Sequence, residues 1–432
     1  MRIDTGGAGV GGVLAVPAAQ ERAGAAVAQC RSCGGPMPEP FLDLGDTPIA
    51  NRLLRDDQVE LPEPQYPLAI GFCPRCTLVQ LTYALPAEAI FDADYPYYSS
   101  VSDALCGHAR RHALNLVAAR ELSSDSLVVE VASNDGYLLR NFIEAGVPVL
   151  GIEPAPGPAA AARQIGVPTV EEFFTTEYAE KLRTDGLRAD VIIANNVMAH
   201  VPDLNGFVAG LAILVADDGV ITIENPGVGD LVARGEFDTV YHEHFCYFSS
   251  TAVERLLRRH GLFLNAVEHF PDLHGGTLRW QVSRRDQIQE SARRHLAEEQ
   301  ERGVTDAAYY KHFSDDVRTT QQALVSLMRQ LRTDGATIAA YGAAAKGATL
   351  LNSTGIGADL IDYVVDLNVH KQGLHMAGSK LPILDPKVLL ERRPDYVLLL
   401  SWNFKEEILR QQAEYRRLGG RFVVPVPTPE IV

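Results

Sequence analysis

The sequence predicts an α/β protein with two Rossmann-like parallel sheets and a small metal-binding domain in front of them. Three observations lead to this prediction. Residues 127–139 have the pattern of a buried strand, a loop of small residues and the start of a helix, and residues 337–351 repeat that pattern. Two Cys-x-x-Cys pairs precede both segments. Each strand-to-helix turn would present backbone N–H groups to a ligand at the carboxyl edge of its sheet.

Composition and charge exclude several classes of protein. The 432 residues suffice for two or three domains, and no apolar run is long enough to span a bilayer. The net charge of −16 disfavours binding to nucleic acid or to an anionic membrane surface. Residues 1–28 are rich in glycine and alanine and lack the apolar core of a secretion signal. We therefore expect a disordered tail and a cytoplasmic protein without structural disulfides.

The two cysteine pairs predict a zinc site. Cys30 and Cys33 form one pair and Cys73 and Cys76 form the other, so that each turn offers two thiolates. Four thiolates complete a tetrahedron and leave no open coordination position, so the zinc should be structural. A redox dithiol pair and chance spacing are the alternatives. The zinc-binding domain is expected at residues 29–85, where a thin core would need the metal for stability.

The loop that follows the first strand favours S-adenosylmethionine (SAM) over a dinucleotide. A dinucleotide site needs Gly-x-Gly-x-x-Gly, whereas only Gly136 remains here, with Ala132 and Asn134 at the other small positions. Asp135 would repel a pyrophosphate, but it suits a ligand with cationic groups and no phosphate. Another nucleotide-binding α/β domain, or a scaffold that has lost its ligand, is the alternative.

The next strands supply further candidate contacts for the cofactor. Glu153 ends the second strand at about 20 residues from the loop, where a carboxylate usually binds the ribose hydroxyls. Residues 171–174 offer an adenine contact and an apolar cover, and the strand at residues 190–196 ends at the same crevice. The residues that we expect to bind the cofactor are Glu130, Ser133, Asn134, Gly136, Glu153 and Asn195.

Four titratable side chains occupy consecutive positions at residues 241–244. Their spacing is not the His-Glu-x-x-His of a zinc hydrolase. In an extended segment, alternation would place Tyr241 and Glu243 on one side and His242 and His244 on the other. In a loop, these side chains would converge differently. A histidine held by a neighbouring carboxylate is a suitable general base near neutral pH. A solvated polar loop is the alternative, which the flanking aromatic residues disfavour.

Two other residues are open to a structural or a functional interpretation. His200 follows a strand end on the ligand side of the sheet, although a lone histidine is more often structural. Tyr95 belongs to a tyrosine-rich linker, for which the residues alone favour packing.

The last hundred residues repeat the order of the first sheet, which suggests duplication of one α/β unit. The repeated segments are residues 337–351, 362–366, 394–403 and 420–425. In this register Lys346 falls on Asp135, so the charge at the ligand loop is reversed. A lysine at the start of a helix favours a phosphate group. One half would then hold a cationic cofactor and the other an anionic nucleotide. A salt bridge between Lys346 and a neighbour is the alternative.

Together these motifs resemble the deoxysugar C-methyltransferases, which act on thymidine-diphosphate (dTDP)-linked 4-keto-deoxyhexoses in making branched sugars for antibiotics. The resemblance covers nearly everything after residue 28. Besides the cysteine pairs, it rests on Glu130 with Ser133-Asn134-Asp135-Gly136, Asn195-Asn196-Val197 with His200, Tyr241-His242-Glu243-His244-Phe245, His274-Gly275-Gly276, the segment 341–347, and Ser401-Trp402-Asn403-Phe404.

The resemblance implies a SAM-dependent C-methyltransferase that contains structural zinc and acts on a nucleotide-linked sugar. His244 would remove the C3 proton, which the C4 ketone makes acidic. The residues that would line the same pocket and orient the substrate or stabilise the enolate are Tyr241, Glu243 and His200. Tyr95 would close the site, and Asn196 and Lys346 would bind the substrate.

The resemblance leaves the exact substrate open, because residues 367–380 depart from the family pattern of Asn-Pro followed by Pro-Gly-Thr. Methylation at C5, or of a keto compound that is not a sugar, is the alternative reaction. A non-catalytic binding protein on a degenerate SAM fold is the alternative class, and a nucleotide-sugar oxidoreductase is disfavoured because neither half has a dinucleotide motif.

We expect a monomer. Beyond the tail and the zinc-binding domain, the expected domains are a SAM-binding methyltransferase domain at 86–285, a helical connector at 286–332 and a C-terminal Rossmann-like domain at 333–432.

Overall fold

A computed structural model describes residues 24–37, 39–90, 98–273 and 275–432. Its N-terminal part is a small antiparallel unit. The elements of this unit are β1 (Ala25–Ala26), β2 (Pro40–Thr47), β3 (Tyr66–Phe72), β4 (Val79–Leu81), β5 (Tyr83–Ala84) and α1 (Ala87–Ile90). β2, β3 and β4 form an antiparallel sheet, and β1 pairs with β5.

The middle part is an α/β unit with helices on both faces of a seven-stranded sheet. Its helices are α2 (Asp103–Ala119), α3 (Arg140–Glu144), α4 (Pro156–Gln164), α5 (Thr176–Thr184), α6 (Leu204–Leu214), α7 (Val228–Ala233) and α8 (Ser250–Arg259). Its strands are β6 (Val128–Val131), β7 (Val149–Ile152), β8 (Thr169–Val170), β9 (Ala189–Asn195), β10 (Val215–Pro226), β11 (Cys246–Tyr247), β12 (Phe263–Phe270) and β13 (Thr277–Ser283).

The strand order of the large sheet is β12-β13-β10-β9-β6-β7-β8, in which β13 is antiparallel to both neighbours. The central strands carry fully buried apolar side chains between the helical layers, among them Val128, Val129, Val191 and Ile192. β11 is not part of this sheet. It pairs with β4 and so extends the N-terminal sheet to the order β11-β4-β3-β2.

Three helices connect this unit to the C-terminal part: α9 (Glu290–Glu301), α10 (Ala307–Tyr310) and α11 (Phe313–Thr333). α11 buries Leu324, Met328 and Leu331, which are three and four residues apart and therefore share one helical face. The helices α9, α10 and α11 thus pack with the core through buried apolar side chains such as these.

The C-terminal part is a second, smaller α/β sheet. Its strands are β14 (Ile338–Tyr341), β15 (Val364–Val365), β16 (Ile383–Leu384), β17 (Tyr396–Leu399), β18 (Arg421–Val424) and β19 (Glu430–Ile431). Its helices are α12 (Ala345–Thr354), α13 (Val388–Arg392), α14 (Lys405–Gln411) and α15 (Ala413–Arg417). The order β16-β15-β14-β17-β18-β19 repeats the order β8-β7-β6-β9-β10 of the large sheet, with an added antiparallel edge strand.

The structure differs from the expected disordered tail at its end. Residues 25 and 26 pair with Tyr83 and Ala84, and the Val27 N–H donates to the Thr82 carbonyl at 2.8 Å. Residues 1–23, Tyr95 and His274 lie outside the described residues. Among the helices of the described ranges, none combines the length and apolar character needed to cross a membrane.

Candidate active site

The four predicted zinc ligands lie together in the N-terminal unit. The sulfur atoms of Cys30, Cys33, Cys73 and Cys76 are all within 4.8 Å of one another. The fully buried Gln80 donates its amide N–H to Cys30 Sγ at 3.0 Å, which favours a thiolate there. Four converging thiols of this kind fit a tetrahedral Zn²⁺ site with no position for a substrate.

The N-terminal unit supports the segment that carries the titratable cluster. The Leu81 N–H donates to the Phe245 carbonyl at 3.0 Å, and β11 follows at once as the edge strand of the zinc-domain sheet. His242 lies against Tyr66 and Pro67, with its Nε2 at 3.3 Å from each backbone carbonyl. The N-terminal unit therefore fixes the position of residues 241–247.

Residues 241–244 form a tight turn rather than the extended segment that alternation predicted. The His244 N–H donates to the Tyr241 carbonyl at 2.9 Å, as in a four-residue β-turn. The turn places the first and fourth side chains on the same side, so that Tyr241 Oη lies 2.9 Å from His244 Nε2. Of the two arrangements that the sequence left open, the structure therefore has the loop, in which Tyr241 meets His244 rather than Glu243.

His244 is held in a defined orientation. Its Nδ1 lies 3.1 Å from the Thr239 carbonyl, an acceptor that requires a proton on Nδ1 and leaves Nε2 to accept from the Tyr241 hydroxyl. Burial lowers the pKa of His244 well below its ordinary value, and the charges of His200 and Lys346 lower it further. The imidazole is therefore neutral at neutral pH and can accept a proton, although the lowered pKa also makes it a weaker base.

His200 lies beside this pair, with its ring centroid 4.7 Å from that of His244. Its Nδ1 lies 2.7 Å from the Glu243 carbonyl, and burial lowers the pKa of His200 to about 4. Glu243 itself points away, toward the zinc domain, where its Oε1 accepts the Asn51 N–H at 3.1 Å. Burial raises the pKa of Glu243 to about 7. Glu243 thus acts on the cluster through its backbone rather than by lining the cavity.

One cavity of about 460 Å³ joins the carboxyl edges of the two sheets. The methyltransferase-like side contributes His200, Tyr241 and His244, and the C-terminal side contributes Lys346. The cavity is also lined by Asn195, which the sequence predicted to bind the cofactor, and by Asn196, which it predicted to bind the substrate. The structure therefore brings predicted residues from both halves to a single site.

Glu153 lies at the end of the cavity formed by the large sheet. Its Oε2 accepts the Asn134 N–H at 2.9 Å and its Oε1 accepts the Ala155 N–H at 2.8 Å. Burial raises the pKa of Glu153 to about 7, although both backbone donors oppose that shift. The buried Asn195 Oδ1 has no hydrogen-bond partner among the described residues, and Phe173 is 42% exposed at the rim. A carboxyl group, an unpaired amide oxygen and an aromatic ring fit the amino, hydroxyl and adenine groups of SAM.

Four residues expected near the cofactor lie behind the cavity wall. Glu130 and Ser133 are fully buried, and a Cβ atom added at Gly136 would meet Val167 Cγ2 at 2.9 Å. Asp135 accepts the Ser100 N–H at 3.1 Å through Oδ2. The chain before α2 thus covers one oxygen of Asp135, whereas the buried Oδ1 has no hydrogen-bond partner among the described residues.

The C-terminal wall contains the strand-end acid that the repeated pattern predicts, together with residues that the sequence did not single out. Asp366 accepts the Ala343 N–H and the Asn368 N–H, each at 2.7 Å, and therefore repeats the two contacts of Glu153. The buried Lys371 donates to the Ala343 carbonyl at 2.7 Å. The Tyr98 ring stacks on His370 with centroids 4.8 Å apart. Lys371 and His370 lie in the divergent segment 367–380, and that divergence was the available signal.

Comparisons with known proteins agree with this organisation. Residues 30–91 match the model of a zinc binding domain, residues 106–267 that of a methyltransferase domain, and residues 272–427 that of the C-methyltransferase C-terminal domain. The C-methyltransferase NovU of Streptomyces niveus is 34% identical over 407 residues, which cover 94% of this chain and 96% of the relative.

Solved structures match one part of the chain. Magnesium protoporphyrin IX methyltransferase of Synechocystis, with bound SAM, is 15% identical and aligns over 42% of this chain and 79% of its own, with a TM-score of 0.33. A SAM-dependent methyltransferase of Anabaena variabilis is 13% identical and aligns over 41% and 84%, with a TM-score of 0.34.

The fold, the cavity and the family models define an enzyme of the SAM-dependent methyltransferase class. Within that class, the chain belongs to the C-methyltransferase family that combines zinc-binding, methyltransferase and C-terminal domains. SAM is the cofactor, and zinc is the structural metal. The family resemblance and the tetrathiolate site predicted from the motifs are confirmed.

Proposed function

We propose that this enzyme methylates the carbon next to the ketone of a dTDP-linked 4-keto-deoxyhexose, at C3. The observation that carries the proposal is the Tyr241–His244 pair on the wall of a cavity shared by both sheets. A neutral imidazole, fixed through Nδ1 and presenting Nε2, is suited to remove a weakly acidic proton. A carbon acid of this kind becomes nucleophilic only after such a proton is lost.

His244 would act as the base, and its immediate neighbours would orient it. Tyr241 supplies a hydroxyl at 2.9 Å from Nε2, which can turn to the substrate oxygen when Nε2 takes the proton. His200 and the backbone of Glu243 keep the turn in place. His200, Tyr241 and His244 are half-buried at the cavity wall, where bound substrates would exclude the water that would otherwise quench the carbanion.

The two ends of the cavity would bind the two substrates. Glu153, Asn134 and Asn195 would hold SAM, which supplies an electrophilic methyl group for the substrate carbanion. On the opposite side, Asn196, Lys346 and the start of α12 offer donors to the nucleotide-linked sugar. We also propose that Tyr95 closes the site and that the enzyme is a cytoplasmic monomer.

Replacement of His244 by asparagine tests the proposal. With dTDP-4-keto-6-deoxyglucose and SAM, we expect His244→Asn to reduce methyl transfer by at least about 10³-fold, as for loss of a general base. Binding of S-adenosylhomocysteine, measured by calorimetry, should change by less than about threefold. Loss of cofactor binding in this variant would instead mean that the turn is structural.

The position of methylation can be read from the product of the wild-type enzyme. C3 and C5 both flank the C4 ketone, so the same base can serve either carbon. NMR spectra of the product should contain the new methyl group at C3. A methyl group at C5, or turnover only of a keto compound without a nucleotide, would identify the alternative reaction. Calorimetry without any heat from S-adenosylhomocysteine would favour a non-catalytic binding protein.

A further inference from the structure

One short turn contacts functional groups of both domains. The 3₁₀ turn Phe237–Thr239 lies just before the catalytic segment. Its last carbonyl, that of Thr239, lies 3.1 Å from His244 Nδ1 and so orients the imidazole. The side chain before it, Asp238, accepts the indole N–H of Trp402 at 2.6 Å. Trp402 belongs to the C-terminal domain, so this hydrogen bond crosses the domain interface.

Trp402 in turn supports a cation. The Lys346 Nζ lies 4.4 Å from the centroid of the indole ring, a distance typical of a cation–π interaction. Lys346 lines the same cavity as His244. The neighbouring residues of one turn therefore fix the base directly and the ammonium through Trp402.

The charge of Lys346 acts on three titratable groups of this region. It lowers the pKa values of the buried Glu236 and Asp238, although burial raises both overall. It also lowers the pKa of His244. The ammonium therefore interacts electrostatically with the base and with two buried acids, and Trp402 joins it to one of those acids, Asp238.

We propose that Lys346 stabilises the enolate oxygen of the substrate, and that Asp238 and Trp402 position its ammonium for this role. The inference rests on the proposed function and deepens it. When His244 takes the α-proton, the C–H electron pair forms the C=C bond of the enolate. The carbonyl π pair moves onto the C4 oxygen, which becomes an anion beside the ammonium. Lys346 remains protonated throughout and is released from the oxygen when the ketone re-forms.

Such a role differs from the phosphate binding that a lysine at a helix start suggests. A phosphate ligand contributes equally to the ground state and the transition state, whereas an enolate ligand contributes only as negative charge develops. The two roles therefore separate in a measurement at saturating substrate. Lys371, on the same wall, remains as a second cation for the diphosphate.

Hydrogen exchange provides that measurement without methyl transfer. The full-length enzyme is saturated with S-adenosylhomocysteine and dTDP-4-keto-6-deoxyglucose in D₂O, and loss of the C3 and C5 proton signals is followed by NMR. We expect Lys346→Gln to slow exchange at saturation by about 10²-fold or more, as for loss of an oxyanion donor. The dissociation constant for dTDP alone should change by less than about threefold. Lys346→Arg, which keeps the charge, should recover much of the rate.

The positioning residues and a matched control complete the experiment. Trp402→Leu removes the ring beneath the ammonium and should slow exchange at saturation by about tenfold. Asp238→Asn keeps an acceptor for the indole and should slow it less. The matched control is Lys387→Gln, because the Lys387 side chain is 83% exposed at the surface. This variant should catalyse hydrogen exchange of the substrate at the wild-type rate. Circular dichroism spectra should be the same for all variants.

Two outcomes would overturn the inference while leaving the proposed function intact. If Lys346→Gln exchanges normally at saturation but binds dTDP more than about tenfold more weakly, the lysine is a phosphate ligand. If Lys346→Gln and Lys346→Arg both unfold, the lysine only neutralises the buried acids. Normal exchange in His244→Asn would instead contradict the proposed function itself.

Discussion

The large sheet and the C-terminal sheet share a strand order but offer different charges to the cavity between them. In each, the acid that follows the second strand accepts two backbone N–H groups: Glu153 in the first and Asp366 in the second. Within the described residues, the large sheet adds no lysine or arginine to the wall, whereas the C-terminal side contributes Lys346 and Lys371. One scaffold can therefore serve two ligands, because the first helical turn and the following loop set the charge.

The two halves also differ in what supports them. The turn of the first half that carries His244 is continuous with β11, which completes the zinc-domain sheet. The C-terminal half has contacts with the same unit that do not involve a catalytic group, such as the Leu54 N–H to His375 carbonyl bond at 2.9 Å. The metal should consequently matter most for the position of His244.

The largest effect that distinguishes the halves should come from loss of zinc. Cys73→Ser removes one thiolate of four, and the metal contributes on the order of 10 kcal/mol to the folding of such small sites. We expect at least about a 100-fold loss of methyl transfer, because β11 loses its partner strand. Binding of dTDP to the C-terminal half should change by less than about threefold.

Cys106→Ser is the matched control for this change. Cys106 lies on α2 outside the tetrathiolate cluster and is half-buried. This variant should retain one zinc per chain by elemental analysis and normal turnover. Full activity in a zinc-free Cys73→Ser enzyme would show that the two halves do not differ in their need for the metal.

A smaller effect concerns the acids at the interface of the halves. Burial raises the pKa of Glu236 to about 8, and the charge of Lys346 opposes that increase only in part. Because the folded pKa exceeds the unfolded value, the native state binds the extra proton and stability is lost as pH rises from about 4.5 to 8. A tenfold change in an acid dissociation constant corresponds to about 1.4 kcal/mol, so the loss is at most about 5 kcal/mol.

Glu236→Gln removes this titration and should leave the apoprotein more stable than wild type at pH 8.5. The free energies of unfolding of the variant and the wild type, measured by urea titration, should become more similar as the pH falls toward 5. A difference that is independent of pH would mean that Glu236 is already paired as a carboxylate in the folded protein.

The strands, the cysteine cluster and the strand-end acids were predictable because local sequence determines each of them. A run of apolar residues followed by small residues specifies a strand and a ligand-binding loop, whatever contacts the domain makes with its neighbours. The orientation of His244 relative to Tyr241 was not predictable, because the sequence of residues 241–244 is compatible with both a turn and an extended segment. The contact of Asp135 with the backbone of Ser100, 35 positions earlier, leaves no local pattern in the sequence. Contacts such as Asp238 with Trp402, 164 positions apart, depend on domain docking and leave no local pattern.

The smallest predicted effect compares the two strand-end acids directly. Glu153→Gln and Asp366→Asn each replace a carboxylate oxygen by an amide group that cannot accept the backbone N–H it faces. The substitutions also weaken the acceptor that each acid would offer to a ligand hydroxyl. A hydrogen bond to a charged group contributes about 1.5–3 kcal/mol, so we expect at least about tenfold weaker binding in each case. Glu153→Gln should weaken the binding of S-adenosylhomocysteine and leave the binding of dTDP unchanged. Asp366→Asn should weaken the binding of dTDP and leave the binding of S-adenosylhomocysteine unchanged. Calorimetry with both ligands on both variants tests this division. If either variant weakens the binding of both ligands equally, both acids belong to a single joint site. The proposed division of the two ligands between the halves would then be wrong.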